Sequence, residues 1–303
     1  MLSTISKNAC PVKRMDTIRK PFKTERSIEI RKVGLITKKD DAHARQHAEK
    51  VAKVLQSHGI TVQLNSISED LDAAIALGGD GTLLHVAEDA ARHSIPVAGI
   101  NLGNLGFLTE FAAEETEQAL SHLLSGKVIV ENRLMLKTRL LKQGAAEQYR
   151  YALNDIVINK NTLDRLLHLA TRAGDDYITT YKADGLIFSS PTGSTAYNLS
   201  AGGPLVHPGL ATILVTPICP FMLSSRPIIL PATTPITTEF ESNGNAECAQ
   251  VIIDGQPCWD MQDGDSLQIS TAEHPLQLIV SPSRDYFTIL RNKLRWGNQD
   301  RQS

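Results

Sequence analysis

A glycine-rich turn between a predicted strand and a predicted helix constrains the fold more than any other feature of this sequence. Leu71–Leu77 has the sequence LDAAIAL, an apolar run that predicts a buried strand, and Gly78 and Gly79 end it. A helix is predicted to begin three residues later, over Thr82–Arg92. A strand that leads through glycines into a helix is typical of α/β proteins, in which helices cover a parallel sheet.

Strands and helices alternate along the first half of the chain. Besides Leu71–Leu77, the apolar patterns predict strands at Ile28–Ile36, Thr61–Leu64 and Ile95–Ile100. Helical spacing is found over Asp40–His58, Thr82–Arg92 and Glu114–Leu124. This order predicts a Rossmann-like α/β domain with a parallel sheet over residues 28–136.

The second half of the chain is different, because from about Lys137 the apolar segments are short and often alternate. Gly, Pro, Asn or Asp separates many of them, and they lie at Lys137–Leu141, Leu153–Asn159, His168–Arg172, Ile178–Tyr181, Ile213–Thr216, Ile228–Leu230, Ile236–Phe240, Gln250–Ile253, Ser266–Ser270 and Leu276–Val280. They predict a second, mainly antiparallel β domain over residues 137–281. Thr288–Trp296 predicts an amphipathic helix, and we expect residues 282–303 to return to the first domain.

Composition excludes several classes of protein. The net charge of -2 does not favour an extended nucleic-acid surface, and the four cysteines and nine histidines form no CxxC or HExxH motif that would indicate a zinc site. No apolar run reaches the roughly 18 residues that a membrane helix needs. The basic segment Met1–Lys23 lacks the apolar stretch of a secretory signal. We therefore expect a cytoplasmic protein with reduced thiols, and a disordered basic tail over residues 1–27.

The turn Gly78–Thr82, with the sequence GGDGT, carries the first candidate chemistry. Glycines allow backbone N–H groups to approach a phosphate closely, and a helix N-terminus adds partial positive charge. The charge of Asp80 repels phosphate, so Asp80 is better explained as a base for a hydroxyl proton, a partner of ribose hydroxyls or a contact for Mg²⁺. A plain Gly-Asp-Gly turn is the alternative.

Two further segments suit a nucleotide. Asn101–Leu108 is a second glycine turn after a predicted strand, and Asp184–Pro204 combines small hydroxyl residues with glycines, which offer donors and acceptors without bulk. The alternative for Asn101–Leu108 is an ordinary loop without a ligand. The alternative for Asp184–Pro204 is a Ser/Thr/Gly linker. The sequence has no GxxxxGK[ST], no GxGxxG after a strand, and no HRD or DFG, which excludes a P-loop NTPase and disfavours a dinucleotide dehydrogenase and a protein kinase.

The order and spacing of these motifs resemble the NAD kinase family. The matching motifs are GGDGT, NxGxxGFL from Asn101, the pair Asn154-Asp155, and DG…PTGSTAYxLSAGGP over Asp184–Pro204, followed by TPICP and SRP. GGDGT also occurs in lipid kinases and phosphofructokinases, so the Asp184–Pro204 block is the specific signal. The resemblance runs from about Val33 to Trp296.

The resemblance implies transfer of the γ-phosphoryl group of ATP to the 2′-hydroxyl of the adenosine ribose of NAD, with a divalent metal, Mg²⁺. It implies that Asp80 is the catalytic acid–base residue and a candidate metal contact. It also implies a homodimer or homotetramer that binds neither nucleic acid nor membrane. The nucleotide-binding positions that it implies are Gly78, Gly79, Gly81, Thr82, Phe107, Asn154, Asp155, Arg165, Lys182, Asp184, Thr192, Thr195, Ala196, Tyr197, Asn198, Leu199, Ser200 and Gln256.

Two positions depart from the family pattern. Phe221 stands where members commonly have histidine, and Lys182 stands where many bacterial members have arginine. Because Lys and Arg differ at bidentate anion contacts, the choice between NAD and NADH is open, and so is the choice between ATP and polyphosphate. A lipid kinase and a non-enzymatic, NADP-responsive regulator are the competing functions.

Overall fold

The computed structural model describes residues 22–38, 41–104, 106–142, 148–161, 165–242 and 248–296. No helix in these ranges is long and apolar enough to cross a membrane. Most of the predicted tail, residues 1–21, lies outside the described residues, but Lys23–Ser27 at its end forms a strand.

The first sheet has eight strands and belongs to the α/β part of the fold. The strands are β1 Lys23–Ser27, β2 Lys32–Thr37, β3 Thr61–Leu64, β4 Ala73–Gly78, β5 Val97–Asn101, β6 Phe111–Ala112, β7 Lys127–Arg133 and β20 Leu276–Val280. Their order is β1-β7-β20-β5-β4-β2-β3, with β6 beside β5. Neighbours from β20 to β3 are parallel, whereas β7 is antiparallel to both β1 and β20. The predicted α/β fold is confirmed, with a mixed sheet.

Every residue of β4 is buried, because β4 is a central strand with packed layers on both faces. The helices of the protein are α1 Ala42–Ser57, α2 Asp80–Arg92, α3 Thr116–Leu124, α4 Tyr197–Ser200 and α5 Tyr286–Leu294. Ile75 and Leu77 pack in a cluster with residues of α1 and α3, while Ala74 and Ala76 pack in another with residues of α2. Burying a side chain such as Leu77 contributes roughly 1.5–3 kcal/mol, so the strand that leads into the glycine turn is firmly held.

Two antiparallel sheets of six strands each form the second part of the fold. The strands are β8 Leu136–Leu141, β9 Tyr149–Ala152, β10 Asp155–Lys160, β11 Leu167–Ala173, β12 Asp176–Ala183, β13 Gly185–Ser189, β14 Thr212–Ile218, β15 Ile228–Pro231, β16 Ile236–Phe240, β17 Ala249–Ile253, β18 Gln256–Met261 and β19 Ser266–Thr271. One sheet has the order β15-β14-β13-β10-β17-β18, and the other β12-β11-β16-β19-β8-β9. Alternate residues of both sheets share one apolar core, which includes Phe188 and Phe240. The predicted antiparallel β domain is confirmed.

The structure differs from the predicted division of the chain at β20. The sequence pattern places Leu276–Val280 in the predicted β domain. In the structure this segment is β20, which pairs with β5 and β7 in the first sheet. Its two faces are buried, as in a central strand, and a strand of either domain would have the same apolar sequence. The chain after β20 stays on this part of the protein, because Ser281 N–H donates to Glu110 Oε2 over 3.2 Å and Arg284 pairs with Glu115 over 2.7 Å.

Candidate active site

The GGDGT turn lies at the carboxyl end of β4. Gly78 ends the strand, Gly79 is the N-cap of α2, and Asp80 is the first residue of that helix. A Cβ atom on Gly78 would overlap the hydroxyl of Thr82, so a side chain there would push the first turn of α2 away from the strand. The N-terminus of a helix carries partial positive charge and is the kind of position that phosphate prefers.

The carboxylate of Asp80 joins this turn to the second glycine turn. Phe107 N–H donates to Oδ2 over 2.8 Å, and the N–H groups of Leu108 and Thr109 donate to Oδ1 over 3.1 and 3.0 Å. The hydroxyl of Thr109 donates to the same Oδ1 over 2.9 Å. A Cβ atom on Gly106 would overlap this carboxylate, so only glycine allows the two turns to meet. Phe107, one of the predicted nucleotide-binding positions, thus holds Asp80 through its backbone N–H group.

A cavity of about 940 Å³ opens beside the turn. Gly79, Gly81 and Thr82 line one side of it, and Gln256 reaches it from the β17–β18 turn of the second domain. The remaining charged and polar side chains of the lining are Thr37, Lys38, Arg45, Asn65, Ser66 and His85, together with the acidic Asp89. Positive charge and hydrogen-bond donors next to a helix N-terminus are suited to a polyphosphate.

The pair Asn154–Asp155 is held by an acid that the sequence analysis did not select. Asp254 lies in the tight β17–β18 turn with φ +46°, and its carboxylate accepts the N–H groups of Leu153, Asn154 and Asp155 over 2.8, 2.8 and 3.1 Å. Its own N–H donates to the carbonyl of Asp155 over 3.0 Å. The turn that carries Gln256 is thereby tied to the start of β10.

Burial is the main cause of the raised pKa values of Asp155 and Asp254. Burial, followed by the nearby charge of Asp254, raises the pKa of the Asp155 carboxyl to about 7, although an N–H bond from Tyr197 lowers it. Burial also raises the pKa of Asp254 to about 6, although the three N–H donors favour its charged form. Two acids with strongly shifted pKa values side by side are typical of functional sites.

The Asp184–Ser200 block packs against the same pair. Ser190 N–H donates to the Asn154 carbonyl over 2.9 Å, and a Cβ atom on Gly193 would overlap that carbonyl. The N–H of Tyr197 bonds to Asp155, and the ring of Tyr197, with the residue 43% exposed, is available to a ligand. Asp184, at the start of the block, forms an ion pair with Lys160 over 2.5 Å.

The other predicted positions of this block differ in accessibility. Thr195, Ala196 and Leu199 are half-buried, and Ser200 is exposed. Thr192 is buried, and its hydroxyl finds no hydrogen-bond partner among the described residues. Asn198 has a different environment, because it is fully buried and its amide bonds to Ser194, Pro204 and Thr216. Its role in this structure is to hold the loop together.

Arg165 and Lys182 lie on the second antiparallel sheet. Arg165 is exposed just before β11, and Lys182 is exposed on β12. The carbonyl of Lys182 accepts the N–H of Phe221 over 2.8 Å, so the two positions that depart from the family pattern are neighbours. The structure does not place Arg165 or Lys182 in the lining of the cavity beside the GGDGT turn.

The fold and the site together are those of an α/β nucleotide-binding protein, with a carboxylate at the N-terminus of the helix that follows the glycine turn. The family model described as the ATP-NAD kinase N-terminal domain matches residues 62–128, and that of the ATP-NAD kinase C-terminal domain matches residues 153–281. The NAD kinase of Geotalea daltonii is 39% identical over 286 residues, which cover 89% of this chain and 100% of the relative. The NAD kinase of Heliobacterium modesticaldum is 43% identical over 241 residues, or 79% and 84% of the two chains. The chain belongs to the NAD kinase family.

Solved structures of the family have the same fold. Yeast NADH kinase complexed with NADH has a TM-score of 0.82 at 25% identity, with 94% of this chain and 91% of that chain covered. An NAD kinase from Archaeoglobus fulgidus in complex with ATP has a TM-score of 0.70 at 26% identity, with 87% and 98% covered. These matches extend over both parts of the fold.

Proposed function

We propose that the crevice around Asp80 carries out the NAD kinase reaction of this chain. The family membership makes the protein a kinase that phosphorylates NAD with ATP, and it removes the lipid-kinase alternative. The observation that supports the crevice is the position of Asp80 at the N-terminus of α2, where its carboxylate binds the loop of Phe107 and its neighbours Gly79 and Gly81 line the cavity.

In this proposal Asp80 accepts the proton of the ribose 2′-hydroxyl. The hydroxyl oxygen forms a bond to the γ-phosphorus of ATP while the bond from that phosphorus to the β-γ bridging oxygen breaks. ADP leaves with the electron pair, and the proton later passes from Asp80 to solvent. Phosphoryl transfer depends mainly on positioning and on neutralisation of charge, which the helix end and the cavity supply.

The dinucleotide is proposed to lie against Asn154, Asp155 and the Thr192–Ser200 segment. The polar side chains of Asn154 and Asp155 suit adenine and ribose hydroxyls, and the exposed ring of Tyr197 suits stacking on a base. Gln256, on the hairpin that Asp254 ties to Asn154 and Asp155, lines the cavity beside the GGDGT turn. These residues provide both an apolar surface and directional hydrogen bonds.

The triphosphate of ATP is proposed to occupy the cavity of Lys38, Arg45 and His85. Mg²⁺ in nucleotide sites is held by one or two carboxylates together with phosphates and waters. Among the described residues no group of three metal-binding side chains is present, and Asp80 already accepts four hydrogen bonds. The described residues thus offer no protein cage for a metal, and we propose that the divalent metal enters as part of the substrate, MgATP.

Self-association is proposed on the basis of an exposed apolar segment. Phe221, Met222 and Leu223 follow one another with 73, 56 and 87% of their surfaces exposed. Large exposed apolar patches commonly mark contacts between proteins. Light scattering on purified protein would determine whether it is a homodimer or homotetramer, and fractionation of cells would test the expected cytoplasmic location.

The test is NADP formation from NAD and MgATP by the purified protein and by Asp80→Asn. Loss of a general base lowers turnover by about 10²–10⁴-fold, and Glu49→Gln, an exposed change on α1, is the control. Near-normal turnover of folded Asp80→Asn would refute the role of Asp80. Absence of NADP formation by the parent protein would instead favour a non-enzymatic, NADP-responsive regulator. Faster initial rates with NADH than with NAD would identify NADH as the preferred substrate.

A further inference from the structure

Thr109 and Asn101 form a buried hydrogen-bonded chain that ends on Asp80. Thr109 is 0% exposed and Asn101 is 3% exposed, so neither residue is placed to touch a substrate. Asn101 Nδ2 donates to Thr109 Oγ1 over 2.6 Å, and Thr109 Oγ1 donates to Asp80 Oδ1 over 2.9 Å. The chain thus connects the end of β5 with the start of α2.

The direction of each hydrogen bond in this chain is fixed. Gly103 N–H donates to Asn101 Oδ1 over 2.8 Å, so the amide must present its NH₂ group to Thr109. Because the Thr109 hydroxyl receives that donor, its own proton is left for the carboxylate of Asp80, which accepts and does not donate when ionised. A Cβ atom on Gly99 would overlap the methyl group of Thr109, so glycine at this position leaves room for the Thr109 side chain.

The chain makes the two oxygens of Asp80 unequal. Oδ1 accepts three hydrogen bonds, from Leu108 N–H, Thr109 N–H and the Thr109 hydroxyl, whereas Oδ2 accepts one, from Phe107 N–H. A carboxylate oxygen has two lone pairs, so the three donors leave Oδ1 no room for a further proton donor. Oδ2 keeps an accepting position.

We propose that Thr109 is a positioning residue which, oriented by Asn101, makes Oδ2 of Asp80 the oxygen that accepts the ribose 2′-hydroxyl proton. This proposal rests on the proposed function of Asp80. No proton moves along the chain, since the Asn101 amide is not an acid and the Thr109 proton stays on its oxygen. The chain sets the rotation of the carboxylate, on which the geometry of attack depends.

The variant Thr109→Val tests this proposal, because valine has the shape of threonine without the hydroxyl. A hydrogen bond to a charged group corresponds to roughly a 10- to 100-fold change, so we expect kcat for NADP formation to fall by about that factor. KM for NAD and for MgATP should change by less than about twofold, since the residue does not touch either substrate. Thr109→Ser, which restores the hydroxyl, should recover most of kcat.

A double-variant cycle with Asp80→Asn separates a role through Asp80 from a structural role. If Thr109 acts through Asp80, adding Thr109→Val to Asp80→Asn should lower kcat by less than about twofold. Equal losses in both backgrounds would overturn the proposal, and so would full kcat of folded Thr109→Val. If Asp80→Asn alone keeps full turnover, the proposed function fails instead, so the two failures are distinguishable.

Folding is checked by the thermal midpoint and by circular dichroism of each variant. Should Thr109→Val not fold, Thr109→Cys provides a side chain of similar size with only a weak donor. We expect its kcat to lie between those of the parent and Asp80→Asn with KM values unchanged. A kcat equal to that of the parent would overturn the proposal.

Discussion

The buried carboxyl group of Asp155 opposes folding at neutral pH, and the size of this effect can be worked out. Asp155 is 5% exposed, and burial, followed by the charge of Asp254, raises its pKa from 3.8 to about 7. Since one pKa unit corresponds to about 1.4 kcal/mol, the cost of ionising Asp155 in the folded protein is about 4 kcal/mol above pH 7. Asp155→Asn removes that cost.

The sign follows from the protons bound in each state. Between pH 4 and 7 the folded protein holds a proton on Asp155 that the unfolded chain has lost, so this group makes the protein less stable as pH rises through that range. We therefore expect Asp155→Asn to raise the unfolding free energy by about 4 kcal/mol at pH 8, with little or no gain near pH 4.

Urea titrations of the parent and Asp155→Asn at intervals from pH 4 to 8 measure this difference. Asp260→Asn, an exposed change on β18, is the control and should stay within about 0.5 kcal/mol at every pH. NAD phosphorylation by Asp155→Asn should fall despite the gain in stability, because the proposed ribose contact is altered. An unfolding free energy of Asp155→Asn that is no higher at pH 8, or a difference independent of pH, would refute the reasoning from burial.

Two further substitutions test the contacts of the crevice. Gly106→Ala places a Cβ atom on the carboxylate of Asp80, so we expect turnover to fall at least about 100-fold, while Gly81→Ala, whose Cβ meets nothing within 4 Å, should keep its thermal midpoint. Asp254→Asn suits the left-handed backbone but gives up the charge and one acceptor, so KM for NAD should rise about tenfold with kcat within about twofold. Unchanged turnover of Gly106→Ala, or an unchanged KM of Asp254→Asn, would contradict these contacts.

The alternation of strands and helices was readable from the sequence because both faces of the central sheet are apolar. The structure confirms strands at β3, β4 and β5, and a helix at α1. The strand β7 was not predicted, because Glu131, Asn132 and Arg133 interrupt its apolar pattern. Arg133 and Glu131 are nevertheless buried, and the ion pair between them over 2.6 Å offsets the loss of their hydration. Such compensation between side chains is not visible in a periodic pattern.

The motifs led to the residues of the site, but not to how each is held. Asp80 and the Asn154–Asp155 pair could be selected because their residue types suit proton transfer and ribose hydroxyls. Asp254 was passed over in favour of Gln256, although Asp-Gly is a common signal for a tight hairpin turn. Its partners are the N–H groups of residues about a hundred positions away, and every residue except proline offers such a group.

Asp80 and Asp254 each hold a distant loop through the backbone N–H groups of that loop, but the two loops have different roles in the proposed site. Each carboxylate accepts three consecutive backbone N–H groups from a distant segment, at Phe107–Thr109 in one case and Leu153–Asp155 in the other. An acid that binds backbone in this way fixes the position of a whole loop, whatever side chains the loop carries. Because one loop borders the reacting carboxylate and the other carries the proposed ribose contacts, loss of the first should lower kcat and loss of the second should raise KM. The effect on kcat and the effect on KM should be separable, because the two loops belong to different segments of the chain and are held by different acids.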